Sequence, residues 1–165
     1  MSTARLDSLR DVTRRLLRRE AHGRLRKVLA KSHIADVAVV MRFLNQKGRR
    51  TTFDLLPDRD AMGELLAEVD DAIKTEIAQS LDTDILVDLL DRMSSDDAAD
   101  LLGELSEELA EELLGRLKRD DEEDLGDLLR YGGETAGGIM VPECFALQQD
   151  TTAEAAIREL RSSAD

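Results

Sequence analysis

A chain of 165 residues has room for one domain, or one and part of a second. Apolar residues make up 42% of it while aromatics are only 2%, so its core must be Leu, Ala, Val and Met; this suits small, closely packed helices and argues against a large ligand pocket. The formal net charge of −13 hides an asymmetry: residues 1–57 hold 14 Lys and Arg against 5 Asp and Glu, residues 58–165 hold 9 against 31. The acidic body repels nucleic acid and anionic lipid, and only the basic N-terminal third has the charge to bind either. The single cysteine, Cys144, excludes an internal disulfide and fits a reducing compartment. No stretch approaches the roughly 18 apolar residues of a membrane span, and no secretory signal is expected at the start.

Residues 4–20 read as a basic amphipathic helix. Leu6, Leu9, Val12, Leu16 and Leu17 mark one face, and Arg10, Arg14, Arg15, Arg18 and Arg19 the other. Gly23 is expected to end it. A second short helix covers 24–31, with Leu25, Val28 and Leu29 inward. A third covers 34–45, with Ser32 as its expected N-cap and Asp36 in its first turn. Gln46-Lys-Gly-Arg-Arg reads as a turn around Gly48. Pro57 then marks a boundary.

From Asp58 to Leu129 the chain aligns with itself in blocks of twelve, without gaps. The first residue is Asp58, Asp70, Asp82, Ser94 and Ser106 before the pattern lapses at Lys118. These are N-cap residues. The eighth is Leu65, Ile77, Leu89, Leu101, Leu113 and Leu125, and the last is Val69, Leu81, Met93, Leu105, Leu117 and Leu129. Twelve residues make about 3.3 helical turns, so one unbroken helix would carry its apolar stripe around by about a third of a turn per block. A cap recurring at each block start argues for a break instead. Each block then forms one short helix and a tight turn. Such helices are unstable alone and must stack into a solenoid. The expected fold is all-α, a superhelical stack of short helices.

After Leu129 the composition changes. Tyr131 to Pro142 holds Gly132, Gly133, Gly137 and Gly138 and reads as a connector. Phe145-Ala-Leu-Gln is a strand candidate, and Thr151 or Thr152 caps a last helix from Ala153 to Leu160. A lone strand has no partner for its backbone, so this tail is expected to be a piece of a further domain.

Three features together resemble the cytosolic N-terminal domain of MgtE-type magnesium channels. They are the lead-in from Leu25-Arg-Lys-Val-Leu-Ala-Lys-Ser-His33 to Leu55-Leu-Pro57, the twelve-residue blocks with Ser94-Ser-Asp-Asp-Ala-Ala-Asp-Leu-Leu at their centre, and the exit Tyr131-Gly-Gly-Glu-Thr-Ala-Gly-Gly-Ile-Met-Val-Pro-Glu143. Ile34 departs from the pattern, standing where the family commonly has Pro after the His. Beyond the basic N-terminal helix region over 1–23, the resemblance covers about residues 24–165 and implies a helical superhelix domain over 24–131 and a connector with the truncated strand and helix of a first CBS domain over 132–165. It also implies a regulatory domain on the cytoplasmic side of the cell membrane that senses Mg²⁺. The ion would bridge its acids to the CBS domains of a homodimeric protein and close the pore of the transmembrane domain. By residue matching the sensing positions fall on Glu64, Asp96 and Asp100, with Asp97 adjacent.

Asp96 and Asp100 stand at i, i+4 and share a helix face, an arrangement of like charges that a cation relieves. Mg²⁺ takes one or two carboxylates and keeps several waters. The competing reading is that these acids only solubilise an outer face. Asp120 to Asp124 lacks the spacing and glycine of a calcium loop. His22 and His33 have no neighbours at metal-ligand spacing, and Cys144 has no basic group to activate it. No catalytic constellation is present, so no enzyme activity is expected. The alternative to a channel regulator is a stand-alone acidic helical-repeat adaptor for a basic protein partner. A further possibility, binding of RNA or anionic lipid by residues 1–31, lacks the aromatic residues that stack on RNA bases.

Overall fold

The computed structural model describes residues 3–117, 125, 129, 135–137, 147–149 and 151–162, and the regular structure among them is entirely helical. Four helices precede the repeats: α1 (Thr3–Arg18), α2 (His22–Leu29), α3 (Ile34–Met41) and α4 (Gln46–Asp54). One helix then follows for each of five blocks: α5 (Arg59–Glu68), α6 (Asp71–Ala78), α7 (Thr83–Leu90), α8 (Ser95–Gly103) and α9 (Glu107–Leu114). The last described helix is α10 (Ala153–Ser162), where Thr152 Oγ1 accepts the Ala155 N–H at 3.3 Å. Most of the sixth block, most of the connector and the start of the strand candidate lie outside the described residues.

Each block-start residue is the N-cap of its helix, with extended backbone. Only two of them cap with the side chain. Asp58 Oδ1 accepts from the Ala61 N–H at 2.9 Å, and Ser106 Oγ from the Leu109 N–H at 3.4 Å. Asp70 instead accepts from Arg42 at 2.6 Å, and the Ser94 hydroxyl donates to Asp97 Oδ2 at 2.7 Å. An acidic cap still favours the positive end of the helix dipole without that bond.

The eighth block position is the spine of the core. Leu65, Ile77, Leu89, Leu101, Leu113 and Leu125 are all buried, none more than 3% exposed. Leu66, Ala78, Leu90 and Leu102, one residue on, are buried beside them. The main packing skips a helix each time: α3 on α5, α5 on α7, α7 on α9, and α4 on α6, with α8 also against α5. The tertiary repeat is therefore two blocks, not one. Gly63 lets α5 approach the end of α7 closely, since a Cβ there would meet Met93 Cγ at 3.3 Å.

Four expectations need correction. Residues 46–50 are not a turn but the first part of α4. Asn45 caps that helix by accepting the Gly48 N–H, and its far end buries Thr52 and Phe53. A Cβ at Gly48 would lie 3.1 Å from Asn45 Oδ1, the oxygen that caps the helix, and in ordinary contact with Leu17 Cδ1 of α1 at 3.5 Å. Gly23 lies inside α2; α1 is ended by Glu20, whose φ of 51° is left-handed. The Ala21 N–H bonds Leu16 O and the Glu20 N–H bonds Leu17 O, both at 3.0 Å, which is a Schellman ending. The N-cap of α3 is His33, while the Ser32 hydroxyl bonds back to Val28 O at 2.9 Å. Finally α3 stops at Met41, four residues early, because Asn45 restarts the helix.

The basic helix α1 lies against α2, α3 and α4, at the opposite end of the stack from the most acidic helices. Its Arg5 Nε stands 3.9 Å from the buried carboxylate of Asp36 on α3.

Candidate metal centre

The twelve-residue register places acids as regularly as leucines. The third position is Asp60, Asp84, Asp96, Glu108 and Asp120 in five of the six blocks, and the seventh is Glu64, Glu76, Asp88, Asp100, Glu112 and Asp124. Third and seventh positions are i, i+4, so they share one side of each helix.

Along α5, α7 and α9 that side is stitched by arginines. Arg92, at the eleventh position of its block, donates to Asp60, 32 residues earlier, at 2.9 Å. Arg116, at the same position two blocks on, donates to Asp84, again 32 residues earlier. Arg92 also bonds Asp88 at 3.1 Å, and Arg59 reaches Asp88 at 3.3 Å. The hydrogen bonds to Asp60 and then Asp88 push the Arg92 guanidinium above its ordinary value. The basic third contributes likewise: Arg49 bonds Glu76 at 2.8 Å, and Arg50 bonds Ser80. Sequence reasoning treated these acids as a solvated face and missed the ladder. Its signal was the shared register of third, seventh and eleventh positions.

On α8 no arginine among the described residues bonds to the same side. The residue 32 positions after Asp96 is Leu128. Asp96 is half-buried, and its Oδ1 is shielded from solvent with no hydrogen-bond partner. A buried carboxylate oxygen left unpaired costs free energy that a cation or a donor would recover. Asp100, one turn on, is exposed and makes no ion pair among the described residues. Glu64 is exposed on α5, the helix against which α8 packs, and likewise makes no ion pair among the described residues. Asp97 is not equivalent, because Ser94 holds its carboxylate. Glu108 and Glu112 of α9 make no ion pair among the described residues either, but they are exposed and water satisfies them.

These donors match Mg²⁺ in type. It is a hard cation that takes one or two carboxylates and keeps water for the rest. They do not make a closed cage: among the described residues no three His, Cys, Asp or Glu side chains converge on one point. The structure thus places Asp96 and Asp100 on one helix face, with Glu64 on a helix packed beside it. No helix among the described residues is long and apolar enough to cross a membrane.

Solved structures share this fold. The crystal structure of the cytosolic domain of the Mg²⁺ channel MgtE in complex with ATP superposes with a TM-score of 0.81 at 28% identity, over 92% of this chain. The crystal structure of the soluble part of a magnesium transporter superposes with a TM-score of 0.75 over 96% of it; at 20% identity that likeness is one of fold. The chain spans 62% of the length of each of them. Among curated proteins no sequence matches it. Residues 32–134, more than half of the chain, match the family described as the MgtE intracellular N domain, and the chain belongs to that family.

Proposed function

We propose that the chain is the Mg²⁺-sensing regulatory part of a magnesium channel, held on the cytosolic side of the membrane. Residues 1–23 form its basic end, 24–131 its superhelical sensor, and 132–165 the connector and start of a first CBS domain. The observation that carries this reading is the Asp96 carboxylate. In a repeat where Asp60 and Asp84 each receive an arginine, Asp96 has a shielded oxygen with nothing to bond. Asp96, Asp100 and Glu64 would supply one part of a coordination shell, and acids of the CBS domains and water the remainder. A bound Mg²⁺ supplies the positive charge that lets two acidic surfaces meet.

The switch follows from linkage. Acids that complete a shell only when the domains are docked bind the ion only in that state, so the ion stabilises docking by mass action. Without it, facing carboxylates repel and the sensor swings away from the CBS pair. In a homodimer the docked state would hold the pore of the transmembrane domain closed. Nothing in this reading asks for a catalytic step.

The test is Mg²⁺-dependent protease protection of the linker at 132–138 in the full-length protein. Asp96→Ala with Asp100→Ala should move the midpoint to a higher Mg²⁺ concentration, while circular dichroism of the sensor is unchanged. An unchanged midpoint would return these acids to surface charge. Absence of any Mg²⁺-dependent protection would favour the acidic adaptor instead.

A further inference from the structure

The unpaired cations of this chain are as unevenly placed as its acids. Where α1, the start of α2 and the turn from α3 into α4 meet, they surround a surface groove of about 840 Å³. The groove lies between α1 and α4, which stands beside it where a turn was expected. Arg14 and Arg18, at i, i+4 on α1, line one wall, and Lys47 in the first turn of α4 lines the other. None of the three makes an ion pair among the described residues, although Glu20, the one acid in the lining, is exposed nearby. Arg42 also lines the groove and is held in place by Asp70. The apolar part of the lining includes Phe43, whose ring is 51% exposed and carries the Arg10 guanidinium 5.4 Å from its centre.

We propose that this groove binds a compound carrying two or more phosphate charges. Its volume falls in the range of about 300–1,000 Å³ typical of small-molecule sites. Two free guanidinium groups one helical turn apart offer planar, bidentate donors that match phosphate oxygens better than ammonium groups do. The N-terminus of α4, with its partial positive charge, forms part of the same wall. A concavity with an aromatic wall selects a discrete anion over a flat lipid surface. The site is independent of the acidic face on α8, and its failure would leave the Mg²⁺ reading untouched.

Isothermal titration of the 165-residue chain with sodium tripolyphosphate tests this, in Mg²⁺-free buffer at constant ionic strength. Saturable 1:1 binding is expected. Arg14→Gln with Arg18→Gln should weaken it by about 10-fold or more, since one charge-assisted bond is worth roughly that factor. Lys47→Gln alone should weaken it less. All three side chains are exposed, so the circular dichroism spectrum should not change. No saturable heat, or equal affinity in wild type and double variant, overturns the proposal. Co-sedimentation with phosphatidylserine vesicles that the double variant loses, with no tripolyphosphate binding, also overturns it and assigns the arginines to a membrane surface.

Discussion

Replacing Leu101 with alanine tests whether the eighth block position is the spine of the stack. Leu101 is 0% exposed, in the middle of the repeats, on a helix that packs against α5. The change removes three carbons from the core, and at about 0.8 kcal/mol per buried methylene the transfer loss is about 2.4 kcal/mol. Any void that remains adds about 24 cal/mol per Å³, so about 40 Å³ left unfilled adds about 1 kcal/mol. The expected loss is therefore about 2–4 kcal/mol. Leu105→Ala is the comparison, because the twelfth position is only half-buried there; it should lose about 1 kcal/mol by the same arithmetic. Urea unfolding followed by far-ultraviolet circular dichroism reads both. The slopes must be compared along with the midpoints, since a stacked array can unfold in parts. A loss below about 1 kcal/mol at Leu101, or equal losses at the two positions, would refute the burial argument.

Two smaller changes probe local chemistry. Glu20→Gly should raise stability by about 0.5–1 kcal/mol, because a left-handed backbone is strained in any residue with a Cβ; a fall in the urea midpoint would refute this. Lys74→Met should raise stability by about 1 kcal/mol. The side chain is buried where related blocks have Leu86 and Ala98, its one ion pair is to Asp71 at 3.8 Å, and Asp71 is itself exposed to water. A loss on thermal unfolding would show that the lysine is satisfied.

Much of this fold was legible in one dimension. Caps, turns and helix faces depend on residues within about four positions of one another, so Asp58, Asp70, Asp82, Ser94 and Ser106 announced the helix starts and the eighth-position leucines the core. Helix α4 was hidden because Gln46-Lys-Gly-Arg-Arg has no apolar face of its own; Asn45 starts it and the burial of Thr52 and Phe53 holds it. The family resemblance pointed to Glu64, Asp96 and Asp100, but charge alone did not separate them from the other acids. That separation came only when alternate helices packed and brought arginines to acids 32 residues away. A carboxylate's state depends on what lies a few ångströms from it in space, and the stacking offset put Arg92 beside Asp60 and Arg116 beside Asp84 while leaving one oxygen of Asp96 buried and alone.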